Sequence, residues 1–497
     1  SKMTNMRKTL VLLLALGLSL TSLAQKKRVM KPYFSTVSYM DSQGTPFVEN
    51  AIAFDNRTVV YKQVAPGQFR ATVEVSTIFK HKGQVAAFSK IALNSPVVSD
   101  TANLDGAFID QQRFSLPNGE YEMEIALKDI NNPNGFAPSG KSTIVVDFPA
   151  QLPCVSDILL FDGYEKATTP SACTKSGMNF VPRVIGFYGA NDDKLNFYTE
   201  LYNTNKLYEE GKFLVTYHIE SYESSAKLVE YSFTKRMDVA KANVLLNSID
   251  ISQLPSGNYY LVVEIHDRSN ALVASNSARF QKSNPGVGYD ISDLNAVVVA
   301  NTFASEISSI DSLRMYLRFL DPVCSEAERD YVQSLVKTDD KQTMQQFLYN
   351  FWSARSPLNP RTGWEDYLAA VRRVNASYRT TAFPGYRSDR GYVFLKYGLP
   401  DKIVESPNEP GAYPYEIWHY YAVGNQRNKR FVFMTQDYST NDYHLIHSDV
   451  VGEINNPRWQ LEIYSRNYGQ GYDQGVDQTE YEQMYGSRAS DLYNNPR

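Results

Sequence analysis

Five charged residues in the C-terminal part of the chain have side chains suited to binding a polar ligand: Arg355, Asp389, Arg390, Asp401 and Glu416. Guanidinium and carboxylate groups form strong charge-assisted hydrogen bonds, and buried charges must be paired in any folded protein. Two interpretations stay open. Either the five residues form a structural polar cluster, in which Arg390 pairs with a carboxylate such as Glu416, or they converge on a bound ligand.

The histidines do not provide a convincing catalytic or metal-binding set. The chain contains six of them, too few to assemble a Ser-His-Asp constellation with any support. His444 and His447 are flanked by Asp442 and Asp449, but residues three apart on a strand point to opposite faces. We therefore predict no catalytic residue, no metal site and no cofactor. The sequence leaves enzymatic activity open and favours its absence.

The segment 135–142 matches the pattern of a phosphate-binding loop letter for letter. Such a loop must follow a strand and open a helix whose amino end faces the phosphates. Here the segment follows a turn and leads into alternating apolar and polar residues, 143–148, which are typical of a strand. We interpret it as a hairpin loop.

The N-terminus has the order of a secretory signal peptide. Three basic residues precede an apolar run, 10–20, and the small-residue site Ser22-Leu23-Ala24 follows it. We predict that residues 1–24 are removed on export. The apolar run is shorter than the ~20 residues that a membrane helix needs, and no later stretch approaches that length, so we expect no integral membrane span.

The charge of the chain argues against a nucleic-acid partner. Removal of residues 1–24 takes away three positive charges, which changes the net charge from −4 to −7. Nucleic-acid binding depends on cationic surfaces that neutralise phosphates. A length of 497 residues is also too great for one hydrophobic core, and it predicts about three domains.

The cysteines suggest one disulfide. Cys154 and Cys173 lie close together in a turn-rich segment, and an exported protein meets conditions that permit disulfides. We predict a bond between them, which would stabilise the start of the second domain by about 3 kcal/mol. Cys324 is left over, and we interpret it as a buried free thiol.

An internal repeat organises the first half of the chain. The sequence LPNGEY at 116–121 recurs as LPSGNY at 254–259, and alternating apolar residues follow each copy up to Asp129 and Asp267. The repeated pattern resembles the tyrosine corner of immunoglobulin-like sandwiches, where a Tyr hydroxyl bonds back to the nearby backbone. We predict two immunoglobulin-like all-β sandwiches, residues 25–149 and 150–283.

From residue 284 onward the spacing of apolar residues changes from two to about 3.6. Residues 325–328 and 362–365 have the pattern of capping boxes at two helix starts. The segments 391–397, 415–421, 429–436 and 443–451 are typical of strands. We predict an α+β domain over residues 284–465, with helices first and a mostly antiparallel sheet after them.

The C-terminal segment, residues 466–497, has a different composition. It is rich in Tyr, Gln, Gly and Asn and has no clear periodicity. We predict a tail that is disordered alone or docks on a partner.

Four spaced motifs connect the third domain to a known family. They are FWSARSP at 351–357, GYRSDRG at 385–391, YGLPD at 397–401 and YEIW at 415–418. In this order they resemble the GWxTD-domain family of exported bacterial proteins, with Tyr386 and Ser388 in place of the signature Trp and Thr. The resemblance implies architecture and export, and it implies no activity. Within the second motif, we expect Gly385 to allow a tight turn and Asp389 to accept backbone amides.

These features together favour a non-catalytic interaction or scaffold protein of the cell envelope. We expect it to be periplasmic, or associated peripherally with the outer membrane through protein partners. The sandwiches would act as spacers, while the third domain and the tail contact an envelope complex. The alternative is a glycan- or peptide-binding protein, or a hydrolase, with its site in the third domain. The identity of the partner, the oligomeric state and exposure at the cell surface stay open.

Overall fold

The computed structural model describes residues 30–135, 137–288, 294, 297–424, 426–467 and 488–495. The predicted signal peptide, residues 1–24, lies outside the described residues, and so does most of the predicted tail. No helix in the described ranges combines the length and the hydropathy needed to cross a bilayer.

The first sandwich is built from two antiparallel sheets and a short hairpin. Its strands are β1 (Pro32–Met40), β2 (Pro46–Asp55), β3 (Lys62–Ala65), β4 (Gln68–Arg70), β5 (Thr72–His81), β6 (Gln84–Asn94), β7 (Ala107–Ser115), β8 (Gly119–Asp129) and β9 (Ser139–Val146). The sheets have the orders β1-β2-β7 and β6-β5-β8-β9, and β3-β4 forms the hairpin. Alternate residues of β5, such as Val73 and Val75, are fully buried between the sheets, as a period of two predicts.

The second sandwich repeats this arrangement. Its strands are β10 (Cys154–Val155), β11 (Leu159–Lys166), β12 (Met178–Pro182), β13 (Phe187–Tyr188), β14 (Lys194–Tyr202), β15 (Lys212–Ser221), β16 (Lys227–Asp238), β17 (Ala242–Asp250), β18 (Gly257–His266) and β19 (Leu272–Lys282). One sheet has the order β13-β19-β18-β15-β16, in which β13 alone pairs in parallel. In the other sheet, β14 pairs with β17, β10 and β11, and β12 lies beyond β11. The strands β6-β5-β8-β9 of the first sandwich therefore correspond to β16-β15-β18-β19 of the second.

The tyrosine corners confirm the repeat at atomic detail. The Tyr121 hydroxyl donates to the Pro117 carbonyl at 2.7 Å, and the Tyr259 hydroxyl donates to the Pro255 carbonyl at the same distance. Both rings are buried, each in the core of its own sandwich. The two halves therefore use one local structure to enter equivalent central strands.

The third domain places a four-stranded antiparallel sheet between two layers of helices. Its elements are α1 (Ile310–Phe319), α2 (Glu326–Leu335), α3 (Lys341–Arg355), α4 (Pro360–Ser377), α5 (Asp389–Tyr397), β20 (Lys402–Ser406), β21 (Tyr415–Val423), β22 (Gln426–Met434), β23 (His444–Ser448), α6 (Trp459–Tyr464) and α7 (Ala489–Asn494). Trp418 and Phe433 face the core formed with α1–α5, whereas Ile417 and Val432 face α6 and α7. Alternation along the strands thus fills two separate cores.

The helix starts are predicted correctly in one of two cases. Ser325 caps α2 in a capping box, because its hydroxyl accepts from the Glu328 amide and the Glu328 carboxylate accepts from the Ser325 amide. The predicted box at 362–365 is wrong. Helix α4 begins earlier, with Asn359 as its N-cap and Pro360 in the first turn.

The predicted strand at 391–397 is also wrong, because these residues form most of α5. The Ser388 hydroxyl accepts from the Gly391 amide at 3.0 Å and so caps the helix. The aromatic and β-branched residues of this segment favour a strand locally, but packing against α4 and the sheet outweighs that preference. The predicted strands at 415–421, 429–436 and 443–451 correspond to β21, β22 and β23.

The predicted disulfide does not form, because Cys154 and Cys173 are free thiols. Cys154 pairs with Tyr202 through the backbone and packs against the core of the first sandwich. Cys173 lies in the loop before β12, where its carbonyl accepts from the Lys175 ammonium at 3.0 Å. Closeness in sequence therefore does not bring the two sulfur atoms together. Cys324 is buried and free, as predicted.

The described end of the predicted tail docks on its own chain. The Arg488 amide donates to Glu409 at 2.8 Å, and Leu492 is buried against the outer face of the sheet. The prediction of a disordered or partner-bound tail is therefore wrong for residues 488–495. Residues 468–487 of that prediction lie outside the described residues.

The two sandwiches pack against each other through a small core of their own. Val37, Tyr39 and Phe47 from the first sandwich contact Phe161 and Tyr198 from the second. Polar contacts also cross this interface, including the Ser38 hydroxyl, which donates to Asp157 at 2.7 Å, and a buried ion pair between Lys175 and Glu49. These contacts make the two sandwiches one continuous body.

Candidate functional site: the polar residues of the third domain

Arg390 and Glu416 form a buried ion pair between α5 and β21. Arg390 Nη1 lies 2.8 Å from Glu416 Oε1, and the two side chains are 6% and 9% exposed. The second oxygen of Glu416 accepts from the Trp418 indole at 3.0 Å. Arg390 Nη2 donates to the carbonyl and the side-chain oxygen of Asn441. The pair predicted from the sequence is present, and both groups have further partners.

The environment of this pair explains how it is tolerated. Burial raises the pKa of the Glu416 carboxyl group, and the adjacent Arg390 charge opposes that effect. The guanidinium also lies over the rings of Tyr443 and Tyr378, at 4.2 and 4.9 Å from the ring centroids. Cation–π contacts of this kind stabilise a desolvated guanidinium. The surroundings therefore compensate both charges, and Arg390 Nε is left without a hydrogen-bond partner among the described residues.

Asp389 makes a separate structural contact at the start of α5. Its carboxylate accepts from the Leu445 amide at 2.8 Å, which joins the helix to β23. The expected bond to a backbone amide is therefore present. Three consecutive residues thus have separate roles. Ser388 caps α5, Asp389 bonds to β23, and Arg390 pairs with β21.

Gly385 begins a tight turn, as expected from the sequence, but glycine is required there by close approach of the backbone. Gly385 lies in a short 3-10 turn and does not have a positive φ. A Cβ atom at this position would lie 1.9 Å from the Val374 carbonyl oxygen of α4, far inside van der Waals contact. Gly391 is similar, because its Cβ would lie 1.9 Å from the Gly385 carbonyl oxygen. The two glycines let three backbone segments pack directly against one another.

Arg355 and Asp401 do not join the Arg390–Glu416 pair. Arg355 Nη2 lies 2.9 Å from Glu328 Oε2 and also donates to the Val323 carbonyl, which ties α3 to α2. Asp401 accepts from the Tyr421 amide at 2.7 Å, beside the start of β20. The five predicted residues therefore occupy separate structural contacts. The structure brings together Arg390 and Glu416, with Asp389 adjacent on α5.

Two buried carboxylates that organise the third domain were not predicted from the sequence. Glu453 accepts from the Tyr392 hydroxyl, the Lys396 ammonium and the Tyr397 hydroxyl. Glu409 accepts from the hydroxyls of Ser406, Tyr415 and Tyr464 and from the Arg488 amide. Neither glutamate belongs to a recognisable motif. All three partners of Glu453 lie more than 50 residues away, as do Tyr464 and Arg488, two of the partners of Glu409. The abundance of Tyr was the only available signal.

The other motifs have structural explanations. In the segment 135–142, Gly140, Lys141 and Ser142 lie in β9, and Lys141 Nζ is 2.9 Å from Glu124 Oε1. His444 is exposed, whereas His447 is buried. A register shift in β23 pairs them with Met434 and Val432, which share a face of β22, so the expectation that the two histidines point to opposite faces is wrong. Within the described residues, no group of three or more His, Cys, Asp or Glu side chains has the arrangement needed to hold a metal ion.

Comparison with known proteins identifies the third domain. Residues 290–460 match the family model of the GWxTD domain, which confirms the resemblance carried by the four motifs. No curated protein matches the chain.

Solved structures give remote matches. The fibronectin(III)-like modules of CbhA from Clostridium thermocellum match at 10% identity, covering 49% of this chain and 89% of that chain, with a TM-score of 0.14. A putative beta-galactosidase from Bacteroides fragilis matches at 10% identity, covering 47% of this chain and 32% of that one, with a TM-score of 0.19. The assignment of the sandwiches rests on their own sheet topology.

Proposed function

We propose that this chain, which carries a GWxTD domain, is a non-catalytic scaffold of the bacterial cell envelope. One observation carries the proposal. The charged residues that suggested a ligand site are paired with one another or with backbone groups, and they hold helices to strands. These contacts give each charged group a structural partner, which supports a role in holding the domain together.

The contacts between domains support a scaffold, because a scaffold needs a defined geometry. The two sandwiches share a small apolar core and the buried Lys175–Glu49 ion pair. The third domain contacts the first directly, since the Asn428 side chain donates to the Thr143 hydroxyl at 3.1 Å. It also contacts the second, because Gly452 packs closely against the Arg279 guanidinium. Each domain thus touches the other two.

Exposed strand edges support an interaction role. Strands β6 and β16 are equivalent in the repeat, and each lies at the edge of its sheet. Each also exposes large apolar side chains, with Phe88 58% and Val229 81% exposed. Unpaired edges with apolar residues are potential pairing sites for another chain. We propose that protein partners of the envelope bind there and hold the chain in the periplasm or at the outer membrane.

The test is purification of the tagged full chain from its native envelope after brief crosslinking. We expect the wild-type chain to be recovered in an assembly larger than one chain, with the same partner at constant stoichiometry. Phe88→Lys or Val229→Lys should reduce recovery of that partner several-fold. Leu358→Lys is the matched control, because Leu358 is fully exposed in a turn outside the sheets.

Two results would overturn the proposal. Recovery of the wild-type chain alone from both soluble and membrane fractions would remove the scaffold role. Hydrolysis of a glycan or a peptide by the purified chain would remove the non-catalytic role and favour the alternative function.

A further inference from the structure

A cleft of about 390 Å³ lies where the three domains meet. Its walls come from β9 of the first sandwich, β19 of the second and β22 of the third domain. The volume lies within the range of small-molecule sites in proteins. The polar side chains that line it are Thr143, Arg279, Gln426, Arg427 and Lys429.

The cleft is cationic. Arg279, Arg427 and Lys429 line it, and among the described residues no carboxylate does. Arg427 lies 3.9 Å from Glu120, and both side chains are more than half exposed, so this contact is weak. Asp449 is the carboxylate whose charge acts on Lys429. It is paired with Arg430 at 3.4 Å. Carboxylates of the described residues therefore compensate the positive charge of the cleft only in part.

Two residues that line the cleft each have a buried donor atom with no acceptor among the described residues. Arg279 Nη2 donates to Asn258 at 3.2 Å, but Arg279 Nη1 is buried without a hydrogen-bond partner. Gln426 Oε1 accepts from the Val451 amide at 2.9 Å, which fixes the orientation of the side-chain amide. Its Nε2 group is then a buried donor without a partner. A buried donor left unsatisfied costs about 1–3 kcal/mol, so these groups favour a ligand that accepts hydrogen bonds.

We propose that this cleft binds a ligand through an oxyanion group, a phosphate or a carboxylate. Arg279 and Gln426 would donate to its oxygens, and Lys429 and Arg427 would supply positive charge. The forked donors of an arginine match the spacing of two oxygens on a carboxylate or a phosphate. This inference goes beyond the scaffold function and does not depend on any protein partner.

Binding at this place has a consequence for the whole chain. Arg279 belongs to the second sandwich, and Gln426 and Lys429 belong to the third domain, while Thr143 of the first sandwich closes the cleft. A bound oxyanion would join groups from separate domains and would oppose their separation. The ligand would therefore stiffen the junction of the scaffold.

The experiment measures binding of defined probes to the full chain by isothermal titration calorimetry. Inorganic phosphate, citrate and glucuronate are titrated at constant ionic strength against chloride, which separates specific binding from screening. We expect at least one probe to bind with a Kd below about 1 mM. Vesicles with and without phosphatidylglycerol distinguish a lipid headgroup from a soluble oxyanion.

Variants locate the site. Arg427→Gln and Lys429→Gln should each weaken binding at least several-fold, and the double variant should abolish it. Lys235→Gln/Arg236→Gln is the matched control, because it removes two exposed positive charges from β16, away from the cleft. Circular dichroism and the urea midpoint verify that each variant folds.

The results are decisive in both directions. Loss of binding in the cleft variants and retention in the control would support the site. Failure of every probe and of both vesicle types to bind the wild-type chain would overturn it. Equal binding by the double cleft variant and the control would overturn it as well. None of these outcomes depends on recovery of a protein partner, so this site and the scaffold function can fail separately.

Discussion

The imidazole ring of His447 stacks on the indole of Trp459, with ring centroids 5.9 Å apart and an interplanar angle of 8°. His447 Nδ1 accepts from the Asn456 amide at 3.0 Å, so the ring proton lies on Nε2, which is 3.1 Å from the Tyr493 hydroxyl. A neutral imidazole thus joins β23, α6 and the C-terminal α7. Burial lowers the pKa of His447 to about 3.

This pKa predicts that acid destabilises the third domain. The pKa of His447 is lower in the folded chain than its ordinary value of about 6.5, so the unfolded chain binds the proton more tightly. The contribution of His447 is fully present above about pH 6.5 and is lost as the pH falls towards 3. At pH 5 we expect a loss of about 2 kcal/mol relative to pH 7.5. Urea unfolding followed by tryptophan fluorescence measures it.

His447→Gln should flatten this pH dependence in part. His419, whose pKa burial lowers to about 4, contributes with the same sign and keeps a remainder. His81→Gln is the control, because His81 is not among the buried residues of its sandwich. An unchanged slope in His447→Gln would show that the imidazole is not the group responsible.

Because Arg390 and Glu416 are both buried, single and double variants of this pair should differ strongly in their free energy of unfolding. Arg390→Met leaves the Glu416 charge buried without its partner, and we expect a loss of about 3–5 kcal/mol in the free energy of unfolding. Arg390→Met/Glu416→Leu removes both charges and should cost clearly less. Urea titration gives these values.

An exposed ion pair provides the comparison. Arg361 pairs with Glu306 at side-chain exposures of 46% and 61%, so Arg361→Met should cost far less stability than Arg390→Met. If Arg390→Met cost no more than Arg361→Met, the buried pair would not be a structural element of the domain.

Gly385 predicts a severe effect of a single methyl group. Gly385→Ala places a Cβ atom against the Val374 carbonyl oxygen, and the backbone of α4 would have to move. We expect a loss of about 3 kcal/mol or more, measured by the thermal midpoint of the full chain. Gly140→Ala is the matched control, because a Cβ there meets open space in β9 and should leave the midpoint nearly unchanged.

The tyrosine corners predict equal effects in the two sandwiches. Tyr121→Phe and Tyr259→Phe each remove one 2.7 Å hydrogen bond to a proline carbonyl and keep the ring. We expect each to cost about 1 kcal/mol, and the double variant to cost the sum because the sites lie in separate cores. Tyr421→Phe, at an exposed ring, is the control. A large effect at one corner alone would contradict their equivalence.

Local pattern predicted much of the architecture. Three features depend only on residues close together in the chain, so they are visible in the sequence. They are the alternation along β5 and β8, the tyrosine corner in each sandwich and the capping box at Ser325. The pairing of Arg390 with Glu416 was also predicted, since a buried arginine requires a carboxylate and the motifs supplied one.

Contacts between distant segments could not be predicted in this way. The strand predicted at 391–397 is a helix, because packing on α4 outweighs the local preference of aromatic residues for strands. The predicted disulfide is absent, because Cys154 and Cys173 lie in different surroundings. The junction cleft had no signal in the sequence. Periodicity records which face of an element is buried, whereas the tertiary structure alone determines which distant side chains share a space, because domain packing sets those distances.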